Sequence, residues 1–117
     1  MELTDKAKTK FEEWLYNLKI KNEIYDNLDS NSNIKWNDFP KSMQYGVYID
    51  FFRGNGMYLN NCPYYVSEGH VRGFEPTIYF DGKPAVTIYE DGDVFECPKN
   101  AELKLIEKAN DLLNERL

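Results

Sequence analysis

Few side chains in this sequence combine residue type and spacing in a way that could do chemistry. His70 stands between Glu68 and Arg72, and a histidine acting as a general base needs an orienting carboxylate within reach. Residues two apart on an extended segment share a face, so the trio could supply such a pair. Gly69 and Gly73 flank it, however, and no motif places a serine or cysteine nucleophile beside it. A loop is the better reading.

The carboxylates of Glu90, Asp91, Asp93 and Glu96 form a second cluster. Hard cations want several oxygens close together, yet Asp91-Gly92-Asp93 lacks the later bidentate glutamate of a calcium loop. A solvated hairpin is expected there, and no metal. Cys62 and Cys97 are far apart and in no Cys-x-x-Cys pair, so with His70 they give three soft ligands without zinc spacing. They read as two free, buried thiols of a reducing compartment. Arg53-Gly-Asn-Gly56 has the glycines of a phosphate cradle but neither its lysine nor a following helix. No catalytic residue and no cofactor is expected, and the sequence does not point to an enzyme.

The elements that would carry these residues can be read from pattern and composition. A chain of 117 residues is the length of one domain with a genuine core, and 15% aromatic residues argue against disorder. No apolar run approaches the ~20 residues of a membrane span, and the amino terminus, with Asp5, Lys6, Lys8 and Lys10, lacks the apolar stretch of a secretion signal. A cytoplasmic protein without a membrane partner is expected.

The least polar run, residues 39–53, organises the rest. Read as a helix, it has Pro40 in its first turn, Gly54 as its stop, and Met43, Val47 and Phe51 recurring at helical spacing. Tyr45, Tyr48, Ile49 and Phe52 add further apolar surface, so only Gly46, Asp50 and Arg53 should stay wet. Before it, Thr4 can cap an amphipathic helix with Ala7, Phe11, Trp14, Leu15 and Leu18 on one face. Past Lys19 the stripe shifts, which suggests a kink or a short further helix. Residues 26–38, rich in Asn, Asp and Ser, form a loop, pinned by Trp36 and Phe39.

Downstream, Met57 begins a strand that Asn60-Asn-Cys-Pro63 should interrupt, a short strand follows at Tyr64-Tyr-Val66, and residues 67–73 read as a loop. Asp81-Gly82 and Asp91-Gly92 then punctuate a three-stranded meander over residues 77–96. A two-residue turn at Asp91-Gly92 would set Tyr89 opposite Val94, Ile88 opposite Phe95 and Val86 opposite Cys97, with Val86, Ile88, Phe95 and Cys97 inward. A last helix starts at Pro98 or Asn100, its apolar stripe Leu105, Ile106, Ala109, Leu112 and Leu113. The fold class is therefore α+β: two N-terminal helices, an antiparallel meander of three or more strands, and a C-terminal helix on one face of the sheet.

The net charge of −6 repels phosphate backbones, so nucleic-acid binding is not expected. The acid is concentrated: residues 75–96 hold six carboxylates against Lys83 alone. On the outward face of the meander, Tyr79 and Tyr89 would stand among Glu90, Asp91, Asp93 and Glu96, aromatic contact area beside a negative field that suits a protein partner with a basic surface. Two other readings stay open. Helix, three strands and helix in order is also the double-stranded-RNA-binding layout, and Trp36, Tyr45, Tyr48 and Tyr58 could line an aromatic ligand pocket. Oligomeric state is not legible.

Three segments also carry a likeness. Pro40-x-Ser-Met-Gln-Tyr-Gly-Val47, then Asp50-Phe-Phe52, and later Ile106-Glu-Lys-Ala-Asn110 resemble a group of short, uncharacterised proteins of bacteriophages and prophages. In that group Asp-Ser-x-Gly follows the paired phenylalanines, where this chain has Arg53-Gly-Asn-Gly56. The resemblance implies a phage-type setting and carries over no functional residue.

Overall fold

The computed structural model describes residues 2–21, 39–67 and 69–117. The elements run α1 (Asp5–Lys21), α2 (Lys41–Gly54), β1 (Met57–Ser67), β2 (His70–Phe80), β3 (Lys83–Thr87) and α3 (Pro98–Arg116). This is the expected α+β order, with a three-stranded antiparallel sheet ordered β1-β2-β3. The loop expected over residues 26–38, Trp36 within it, and the shift of stripe beyond Lys19 fall largely or wholly outside the described residues.

One face of the sheet carries the core. Because strand side chains alternate, Met57 and Ile78 point at the helices and are fully buried, with Leu59 and Phe80 packed beside them. Phe51 and Phe52 of α2 and Leu105, Ile106, Ala109 and Leu113 of α3 close over that face. α1 packs onto α2 through aromatic rings: Phe11 lies 5.2 Å from Phe51, edge to face, and 5.0 Å from Tyr48, and Trp14 lies 5.5 Å from Phe51. Such geometries add about 0.5–1.5 kcal/mol per pair beyond area burial.

α2 is rotated from its expected setting. Its buried stripe is Gln44, Tyr48, Phe51 and Phe52, while Met43 is 52% exposed. Met43 lies on the same side as Gly46, Asp50 and Arg53, so the wet strip is wider than the sequence suggested and the helix is covered on one side rather than nearly enclosed. Gln44 tolerates burial because its Nε2 donates to the Phe39 carbonyl at 3.2 Å. Pro40 is the N-cap, not a first-turn residue, and the left-handed residue after the helix is Gly56 (φ 78°), not Gly54.

Thr4 does not serve as the expected cap. Its hydroxyl accepts from Asn110 Nδ2 at 2.9 Å, its own N–H donates to Asn110 Oδ1 at 2.9 Å, and the Ala7 N–H donates to Asn114 Oδ1 at 2.7 Å. Ala7 lies in the first helical turn, whose N–H groups have no partner within the helix. Two asparagines of α3 therefore cap the start of α1 from across the interface.

The strands differ most from expectation. Asn60-Asn-Cys-Pro63 does not interrupt β1, and the supposed loop at residues 67–73 is mostly β2; the two eleven-residue strands pair from Met57↔Phe80 to Ser67↔His70, with bulges near Tyr64 and Tyr65. Pairing with β2 overrides the turn propensity of the asparagines, and Pro63 is tolerated because β1 is an edge strand. The meander's last strand is also absent. Only Glu90↔Asp93 bridges across the Asp91-Gly92 turn, and Phe95 pairs with Phe74 of β2 instead of Ile88. Cys97 is consequently exposed rather than inward, Val86 and Ile88 are only half-buried, and Cys62, also a free thiol, is half-buried.

Candidate functional site

β2 is more than twice as long as β3, and the chain after β3 keeps to the uncovered part of its edge. The Ile88 N–H donates to the Pro76 carbonyl at 2.9 Å, and further along Phe74 and Phe95 exchange backbone bonds of 2.7 and 2.9 Å. Residues 89–94 make an excursion between these anchors. Its tip is closed by reciprocal Glu90 and Asp93 backbone bonds of 2.8 and 2.9 Å, and Asp91 and Gly92 both have positive φ, 51° and 83°. That is the turn sequence and backbone sign that tight hairpins favour. Arg72 of β2 donates to Asp93 Oδ2 at 2.8 Å, and Gly73 lies so close to the returning chain that a Cβ there would sit 2.5 Å from the Phe95 carbonyl oxygen.

The excursion and α3 enclose a groove of about 700 Å³. Its apolar part comes from Ile88, Phe95, Leu103 and Ile106, and Tyr89, 53% exposed, stands over it. Among the described residues, Glu2, Glu90, Asp91 and Glu107 supply carboxylates, against a single cation, Lys104, whose Nζ is 3.0 Å from Glu107 Oε2. Apolar and acidic side chains thus share the lining, with Phe95 and Ile106 almost fully buried beneath it and Tyr89 and Leu103 accessible. A second hollow of about 990 Å³, between α1 and the end of α3, is lined mostly by charged and polar side chains of both signs; a third of about 280 Å³ lies beside Tyr48 and Leu15.

The residues expected to form one interaction surface are divided. Tyr89, Glu90 and Asp91 line the groove. Asp93 is held by Arg72, and Glu96 is exposed outside the groove, just ahead of α3. Tyr79 is on the opposite side of the sheet, since its neighbour Ile78 faces the helices; a hydrogen bond with Cys62 holds its phenol above the usual tyrosine range. The aromatic quartet does not converge either. Tyr48 is core, Tyr58 lies on the helix-free face with its hydroxyl 3.3 Å from Asp81 Oδ2, and Trp36 is outside the described residues. Tyr45 is half-buried, and burial, reinforced by Glu102, pushes its phenol up to about 12.

Of the catalytic trio, Arg72 is engaged by Asp93, His70 is exposed, and Glu68 lies outside the described residues. Among the described residues no three His, Cys, Asp or Glu side chains come together to hold a metal ion, and no helix is long and apolar enough to cross a membrane. Sequence reasoning missed the α3 flank of the groove, Leu103, Lys104 and Glu107, and the contribution of Glu2. One signal was present: Leu103 is off the Leu105 to Leu113 stripe and is left 40% exposed.

No protein-family model, curated protein or solved structure matches the chain.

Proposed function

We propose that this protein is a small acidic accessory protein of phage type, a non-enzymatic module that acts in the cytoplasm of the host cell by binding a protein partner through a basic segment. The observation that carries the reading is the groove between residues 89–94 and α3, where, among the described residues, four carboxylates line the same hollow as apolar side chains and the one lysine is already paired. Rim ion pairs contribute only about 0.2–1 kcal/mol each in water. Affinity would therefore come from an apolar anchor seated against Ile88, Tyr89 and Leu103, the lining residues with apolar surface still accessible, with the carboxylates selecting lysine or arginine beside it.

The order α2, β1, β2, β3, α3 matches the double-stranded-RNA-binding layout, but that reading requires a basic stripe on the last helix. Here Lys104 is neutralised by Glu107, and Lys99, Lys108 and Arg116 are interspersed with Glu102, Asp111 and Glu115.

The test is binding of labelled peptides, each with one apolar residue flanked by lysines or by glutamates, to the whole chain and to its Glu90→Lys/Asp91→Lys variant. The lysine peptide should bind the unmodified chain, lose at least about tenfold in affinity to the variant, and weaken as salt rises. Equal binding of both peptides, or indifference to the substitutions, would refute the reading.

A further inference from the structure

Among the described residues, β1 forms one edge of the sheet and has a strand on one side only. Three backbone contacts fix which way β1 directs its hydrogen-bonding groups. Phe74 exchanges both bonds with Phe95, and the Pro76 carbonyl accepts from Ile88, so Phe74 and Pro76 point toward the β3 side of β2. In an antiparallel ladder the N–H and C=O of one residue point the same way and alternate along the strand. Glu75, Thr77 and Tyr79 therefore point at β1, and their partners Cys62, Asn60 and Tyr58 point back. Met57, Leu59, Asn61 and Pro63 direct their backbone groups outward, and among the described residues no strand pairs with that edge.

Edge strands are normally guarded by charge, proline or bulges because bare amides and carbonyls template another strand. β1 has its proline and bulges only in its second half, from Pro63 onward. Its eleven residues include no charged side chain, and they lie in the longest uncharged run of a chain that is 29% charged. Among the described residues, the first half is therefore a donor and acceptor row without charge, proline or bulge.

We propose that this edge pairs antiparallel with the same edge of a second copy of the chain, about a two-fold axis at Leu59. In that register Leu59 meets Leu59 of the second copy and Met57 meets its Asn61, so the outward N–H and C=O groups over this stretch are matched and Pro63 is left out of the ladder. Centring the pair on Asn61 would instead set Pro63, which has no N–H, opposite the Leu59 carbonyl. Two chains of net charge −6 meet here along a strand that brings no like charges together. On the helix-free face, Tyr58 of each copy falls opposite Asn60 of the other, close enough for side-chain contact.

Sedimentation velocity on the full chain, from micromolar to millimolar concentration, tests this. A species of twice the monomer mass should grow with concentration. Tyr58→Lys/Asn60→Lys places lysines opposite lysines in this register and should weaken the dimer at least about tenfold. Tyr58→Glu/Asn60→Lys places opposite charges there and should restore it. Both sites are exposed, so circular dichroism should show unchanged folding. Leu59→Pro, which removes an outward N–H, should also prevent pairing. A chain that stays monomeric throughout, or a dimer indifferent to the double-lysine change, overturns the proposal; a dimer weakened equally by both charge patterns overturns the register.

Discussion

Replacing Asn110 with alanine tests whether the cross-interface cap holds the molecule together. Asn110 is 5% exposed, and its amide makes two 2.9 Å bonds, one accepting from the Thr4 N–H and one donating to the Thr4 hydroxyl. Each such bond is worth about 1 kcal/mol net, and a partly buried donor left without a partner costs about 1–3 kcal/mol more than a solvated one. Loss of packed side-chain atoms adds to this, so we expect about 2–4 kcal/mol of destabilisation in total, a large fraction of the 5–15 kcal/mol typical of a domain. Urea unfolding followed by tryptophan fluorescence reads it, since Trp14 of α1 packs on Phe51. A cycle with Thr4→Ala isolates the hydroxyl bond alone, since the Thr4 backbone N–H stays in place: the double variant should be less destabilised than the sum of the singles. A loss below about 0.5 kcal/mol for Asn110→Ala, the level of an ordinary surface change, would refute the reasoning. So would strict additivity in the cycle.

Gly73→Ala sets a Cβ against the Phe95 backbone at 2.5 Å, which cannot be relieved by turning a side chain, so the Phe74 and Phe95 bridge should open at a cost of about 1–3 kcal/mol. Amide exchange at Phe74 and Phe95 should rise well above that at Ile78; unchanged protection would contradict the close approach. Tyr45 supplies a pH dependence. Its phenol is raised in the folded chain to about 12, so between its ordinary value of about 10 and that value the unfolded chain binds fewer protons than the folded one, and stability falls as pH rises. The full shift corresponds to about 2.7 kcal/mol, which solvent screening at a half-buried site reduces to roughly 1 kcal/mol. Tyr45→Phe should flatten that part of the alkaline limb in urea unfolding, and an unchanged slope would sink the assignment.

Helix periodicity made α1 and α3 legible, because in each the apolar positions recur on one side and charge fills the other. α2 was legible as a helix but not in rotation: with Met43, Tyr45, Val47, Tyr48, Ile49, Phe51 and Phe52 spread around the axis, period alone could not choose the inner face. Packing chose it, and buried Gln44 ahead of Met43. The sheet was misread where a distant partner decides. Asn60-Asn-Cys-Pro63 has the composition of a breaker, yet β2 supplies a complete ladder opposite it. Conversely Asp91-Gly92 was read correctly as a turn, while the ladder expected beyond it lost Phe95 to Phe74. The acidic cluster was visible as composition, but its division into groove, ion pair and open surface depends on that same exchange. Asn110 sits on the Ile106 and Leu113 stripe, and a polar residue there marks a buried hydrogen bond whose partner, more than a hundred positions away, no local pattern could supply.

The mismatch in strand length is what creates the candidate site. β3 ends at Thr87, having covered only the final part of β2, and the exposed edge at Pro76 and Phe74 still offers backbone groups that need partners. The chain satisfies them with Ile88 and Phe95, and those two residues lie too near each other along β2 to be joined by a straight strand of residues 89–94. The intervening segment must leave the edge and return, and Asp91-Gly92 lets it do so tightly. From Phe95 the chain passes almost at once into α3, whose first turns therefore lie beside the excursion and form the other flank of the groove. The groove thus follows from unequal strands and a short connection, and Glu90 and Asp91 are exposed beside it because a turn that leaves the sheet has only water to face.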